Sequence, residues 1–251
     1  GWPVIGVDDD NDGCGFPVRF FSIPNAKTKQ LYANQYTDTF DGYKLPLRWQ
    51  WSGNYDQTFG FPSTQGFARI YGWNKPTKNK LWTVPNLLLQ KCPGDEFTAT
   101  AHLRFTVKNN TEYAYAGLVL FGQNYGAIAI REIDGNLSLV AIECRDAEQC
   151  AQEIVTKISD MDNLETYQAG SIPNQTVEMW LRVDVGKKHQ CSFSWSFDGI
   201  NFNIADVSRF TARQGKWVGA RIGVFATNGE NGDKCWLDLL DFNVNDITTY
   251  Q

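Results

Sequence analysis

Asp8, Asp10 and Asp12, set two apart and followed by Gly13, form the first half of a loop that can wrap a hard cation. Alternate carboxylates converge there, and the glycine permits the sharp turn. Position twelve of that loop is Arg19 instead of a bidentate glutamate, so a solvated acidic connector is the open alternative to Ca2+. A second set, His102, Arg104, Trp180, Arg182 and Asp184, combines an indole with hydrogen-bonding and charged groups. An aromatic face packs on the C–H face of a sugar ring while such groups bond its hydroxyls, so these five form a carbohydrate-binding set wherever one sheet brings them together.

The elements that must position them read as strands. Residues 97–107 place Phe97, Ala99, Ala101, Leu103, Phe105 and Val107 on one face and His102 and Arg104 on the other. Residues 177–185 alternate likewise, with Val177, Met179, Leu181, Val183 and Val185 inward and Trp180, Arg182 and Asp184 outward. In residues 191–197, Phe193, Trp195 and Phe197 oppose serines. Polar-backed strands imply antiparallel sheets with one solvated face, and such a face exists whether or not it binds a sugar. Asp134-Gly135 and Asp198-Gly199 supply tight turns between strand-like runs. Residues 116–131 and 220–227 are nearly continuous apolar runs, as expected of strands buried on both sides. Residues 147–158 are the sole helical candidate. The fold class is all-β, two packed antiparallel sheets in a sandwich.

Composition narrows the partners. The 251 residues carry 23 Lys+Arg against 28 Asp+Glu, with the basic residues scattered singly, which excludes a phosphate-tracking patch and nucleic acid as a partner. Aromatic residues make up 14% of the chain, more than one sandwich core uses, so some belong at a surface. No apolar run is long enough to span a membrane. The six cysteines, at 14, 92, 144, 150, 191 and 235, form no C-x-x-C pair, which argues against structural zinc. Cys144 and Cys150 bracket a short segment that a disulfide can close in an oxidising compartment; free thiols are the alternative. No nucleophile elbow or metalloprotease motif occurs, and His102 and His189 each stand alone in the sequence, reading as surface positions.

Three blocks together resemble family 43 glycoside hydrolases. Gly1-Trp2-Pro3-Val4-Ile5-Gly6 is similar to the last propeller strand and exit linker. Leu45-Pro46-Leu47-Arg48-Trp49-Gln50-Trp51, with Asn54 and Asp56, resembles the opening of the C-terminal concanavalin A-like sandwich. The later pattern, Ala116-Gly117-Leu118, Trp180-Leu181-Arg182, Ser196-Phe197-Asp198-Gly199 and Arg221-Ile222-Gly223-Val224-Phe225-Ala226, follows in the same order.

The resemblance implies a relative of β-xylosidases and α-arabinofuranosidases. In these a five-bladed propeller supplies the catalytic carboxylates, and the sandwich packs beside it and lends a loop to the sugar pocket. On this reading residues 1–44 are a linker with a remnant strand, 45–251 are the sandwich, and no residue here is catalytic. The substrate is a pentose-containing polysaccharide, and the protein is secreted, periplasmic or at the cell surface. Tyr55, Phe59, Phe61 and Trp73 lie in an aromatic stretch that either faces the propeller's pocket or folds over its own core. Calcium-dependent sandwiches of this type use carboxylates near the last strand, which makes Asp238 and Asp241 further metal candidates against a plain surface edge. The competing reading is a free-standing lectin-like module.

Overall fold

The computed structural model describes residues 7–8, 11–13, 15, 35–77, 80–108, 111, 113–149, 152–161, 165–167, 174–205, 210–230, 232 and 234–247. The chain divides into a unit Gly1–Tyr32 and a unit Ala33–Gln251. In the first, the backbone N–H groups of Asp12 and Gly13 donate to the Asp8 carboxylate, each at 3.1 Å. The sequence expectations for residues 1–6 and Asp10 fall outside the described residues.

The second unit is two antiparallel sheets. One is ten-stranded, with the path β14-β13-β12-β6-β17-β4-β3 and β1, β11 and β15 paired onto it. Its centre is β6 (Phe97–Lys108), β12 (Asn174–Val185) and β17 (Cys235–Asp246). Beside them lie β1 (Gln35–Asp38), β3 (Gly60–Ser63), β4 (Phe67–Tyr71), β11 (Glu165–Tyr167), β13 (Gln190–Ser196), β14 (Asn203–Ile204) and β15 (Phe210–Thr211). The other sheet runs β10-β9-β8-β7-β16-β5-β2. These strands are β2 (Gln50–Trp51), β5 (Leu88–Lys91), β7 (Tyr115–Phe121), β8 (Tyr125–Ile133), β9 (Asn136–Cys144), β10 (Ile154–Asp160) and β16 (Arg221–Thr227).

The alternation in β6 and β12 produces the core directly, since their inward residues all join the cluster between the sheets. Burial there is the main stabilising term, at roughly 25 cal/mol per Å2 of apolar surface. The seven-stranded sheet has a second apolar cluster on its outer face, where Leu81, Leu89, Phe121, Tyr125 and Phe225 are buried. This explains the continuous apolar runs: β7 is buried at every position. Asp134 and Gly135 both take positive φ (52° and 83°) and join β8 to β9 as a tight hairpin.

Three expectations change. The described residues of 147–158 hold no helix; β10 pairs with β9 along an edge, as the β-branched run Ile154-Val155-Thr156 favours. The sandwich begins before Leu45, because β1 pairs with β17 from Gln35 onward. Phe197 lies beyond the end of β13, is 46% exposed and meets Trp195 edge to face. Within the aromatic stretch, β3 and β4 form a hairpin on the sheet edge.

Candidate functional site

The outward face of the ten-stranded sheet gathers the predicted polar set in register. Trp180, His102 and Asp241 lie opposite one another on β12, β6 and β17, as do Glu178, Arg104 and Asp238. A bulge between Leu239 and Asp241 shifts β17 there, so that Asp241 faces outward beside His102.

Each group finds its partner within the sheet. The His102 ring stacks on the Trp180 indole, with centroids 3.8 Å apart and planes 9° from parallel. Its Nδ1 is 3.0 Å from Asp241 and its Nε2 is 2.9 Å from Glu178. Burial pulls the imidazole pKa down, but the hydrogen bonds to the two carboxylates outweigh it and hold the pKa above 6.5. Only the doubly protonated ring donates to both acids. Burial of Glu178 raises its pKa, and the bonds from Arg104 and His102 reverse this and hold it low. Arg104 donates twice to Glu178, at 2.9 and 2.7 Å. Arg182 donates to Thr100 at 3.0 Å and lies 3.5 Å over the Phe202 ring. Asp184 accepts from Thr98 at 2.6 Å.

The second side of the indole is also occupied. Gly199 sits so close that a Cβ there would lie 2.9 Å from Cε2 of Trp180, at a φ of +72°. Thus the five residues share one face, where Trp180, His102 and Arg104 are joined through Glu178 and the ring stack while Arg182 and Asp184 pair separately with Thr100 and Thr98, and the indole packs on protein. His102, isolated in sequence, is the centre of the joined group.

The metal candidates have other partners. Asp238 is buried and receives a bidentate pair of bonds from Arg69, at 2.6 and 2.7 Å, while Asp241 holds His102. Among the described residues no group of three or more His, Cys, Asp or Glu side chains is arranged to hold a metal ion. Of the aromatic stretch, Phe59 is buried against Trp51 and Tyr55, whereas Tyr55 (60%), Phe61 (42%) and Trp73 (36%) are exposed.

One exposed group went unread in the sequence. Trp217 is 89% exposed on the loop 212–220, with Val218 beside it at 52%. The loop base is fixed: Gln123 donates its N–H to the Gln214 carbonyl at 3.0 Å, Ala212 donates to His189 at 3.0 Å, and Lys216 pairs with Glu148 at 2.6 Å. Beneath it lies a cavity of about 800 Å3 lined in part by Gln50, Lys91, Arg213, Trp217 and Arg221. Tyr55, Phe59, Phe61 and Trp73 do not line this cavity. The signal was an apolar pair in Gly215-Lys216-Trp217-Val218-Gly219, outside any alternating run.

The two packed antiparallel sheets define a concanavalin A-like sandwich. More particularly, residues 37–245 match the β-xylosidase C-terminal concanavalin A-like domain, and the chain belongs to that family. It is 27% identical over 260 residues to a β-xylosidase of Formosa agariphila, spanning 95% of this chain and 40% of that one. A putative β-xylosidase of Xylanibacter ruminicola is 26% identical, over 90% of this chain and 37% of its own length. The chain thus spans about two fifths of these curated relatives. Among solved structures, the xylan β-1,4-xylosidase of Bacillus halodurans shares the fold at a TM-score of 0.65 and 13% identity, covering 93% of this chain and 43% of that one.

Proposed function

We propose that this chain is the non-catalytic sandwich of a family 43 glycoside hydrolase acting on xylan- or arabinan-type polysaccharide, and that it packs against a catalytic propeller and completes the sugar pocket. The observation that carries the reading is the alignment of 95% of this chain to two fifths of a β-xylosidase. Chemistry agrees with it. Glycoside hydrolysis uses a pair of carboxyl groups facing one scissile bond, and Glu178, Asp184, Asp238 and Asp241 are each tied to a neighbouring side chain.

The loop 212–220 is the pocket-completing element. An indole left 89% exposed on a fixed loop base presents apolar area that a partner or a sugar would cover. Cys144 is disulfide-bonded, whereas Cys92, Cys191 and Cys235 are free thiols. A disulfide fits an oxidising compartment and therefore a secreted, periplasmic or cell-surface protein.

The test is hydrolysis of nitrophenyl xyloside and arabinofuranoside by this chain alone. No release of nitrophenol is expected, and turnover that survives repurification would contradict a non-catalytic role.

A further inference from the structure

Arg221 stands at the start of β16, on the outer face of the seven-stranded sheet, directly opposite Lys91 on one side and Phe121 on the other. Two cations in direct cross-strand register repel. Arg221 is half-buried, its Nε is shielded from solvent without a hydrogen-bond partner, and its guanidinium lies 5.6 Å from the Phe121 ring. Among the described residues neither Arg221, Lys91 nor Arg213 has an ion-pair partner, though all three line the cavity under Trp217. The cavity's one carboxylate, Asp95, pairs with none of them. A half-buried arginine with a shielded, unpartnered Nε, set across from a lysine in cross-strand register with no acid to answer either, is an arrangement that an incoming anion stabilises.

Two features fix the class of anion. A guanidinium fork matches a carboxylate, taking it in two parallel bonds. The exposed indole at the same cavity offers a flat apolar face of the kind that packs on a sugar ring. We propose that this cavity binds a hexuronate unit of an acidic oligosaccharide, with Arg221 and Lys91 on the carboxylate and Trp217 on the ring. The proposal deepens the reading given above and rests on the Trp217 end of the sandwich facing the sugar. It names a class of substrate decoration, an acidic side unit, that the site would prefer over a neutral chain.

Calorimetric titration of this chain with xylotetraose bearing one glucuronate branch, against unbranched xylotetraose, tests it. The acidic ligand is expected to bind at least about tenfold more tightly, with the advantage falling as salt is added. Arg221→Gln removes that advantage, Lys91→Gln reduces it, and Lys157→Gln, in an exposed ion pair on β10 at the far edge of the sheet, leaves it unchanged. Near-ultraviolet circular dichroism confirms that the variants fold. Equal affinity for the two ligands, no binding of either, or an advantage that survives Arg221→Gln overturns the proposal. So does a glutamate-rich peptide that binds through Arg221 when the uronate does not, since the site would then receive a protein carboxylate. If the uronate titration fails while Trp217→Ala still impairs the propeller-bearing protein on pentosides, the pocket-completing role stands and this inference alone falls.

Discussion

The imidazole of His102 lies flat on the indole of Trp180, 3.8 Å away, and is held from both edges by Asp241 and Glu178. A cation over an indole face, bonded to two carboxylates, is stabilised by all three neighbours.

This gives a pH dependence with a definite sign. The folded-state pKa of His102 is raised above 6.5, so its contribution to stability is complete below that value and is lost as pH rises through the folded pKa. His102→Gln is expected to cost about 1 to 2 kcal/mol at pH 5.5 and less at pH 8.5. Urea unfolding at the two pH values measures it, and an equal cost at both would refute the charged imidazole.

Arg69 and Asp238 make the most buried ion pair on the same face, with the Asp238 side chain only 3% exposed. Arg69→Met leaves that carboxylate in place without its partner, and a loss of about 3 kcal/mol is expected. Asp238→Leu added to Arg69→Met recovers much of it. A double-mutant cycle by chemical denaturation reads the coupling; additive losses would show that the pair is not coupled.

Gly199→Ala combines two penalties, a φ of +72° that side chains disfavour and a Cβ 2.9 Å from the Trp180 ring. A destabilisation of about 1 to 3 kcal/mol is expected, together with a changed indole fluorescence as the Trp180–His102 stack shifts. An unchanged melting temperature would place that turn away from the ring.

Cysteine chemistry is checked by non-reducing peptide mapping. Cys92, Cys191 and Cys235 are expected to be alkylated only after unfolding, because burial pushes the Cys92 and Cys191 thiols up to about 12 and Cys235 higher still. Cys144 is expected in a disulfide, with Cys150 the partner that its spacing favours. Rapid alkylation of native Cys191 or Cys235 would contradict their burial.

The fold was legible where one strand face is buried and the other wet. The alternation in residues 97–107 and 177–185 delivered both the strands and their inward residues, and Asp134-Gly135 marked its hairpin. β10 was hidden because Ile154–Asp160 is an edge strand with no buried side chain, so no alternation exists to read. The His102 network was hidden for a different reason. His102 and Asp241 are 139 residues apart and meet only through cross-strand register and a bulge. The polar set was found as a set, yet the bonds its members make depend on side-chain distances that spacing does not encode. Trp217 escaped because sequence reading weights aromatics within strands, whereas this one stands on a loop between two glycines.

The central claim is that this sandwich completes a sugar pocket made elsewhere, and Trp217→Ala in the protein that joins this chain to a catalytic propeller tests it most directly. The measurement is kcat/KM on nitrophenyl xyloside or arabinofuranoside, with unfolding transitions recorded for both proteins. The account predicts a fall of about tenfold or more, or at least about 1.4 kcal/mol of transition-state stabilisation, with the unfolding transition unchanged. A variant as active as the unaltered protein would contradict it.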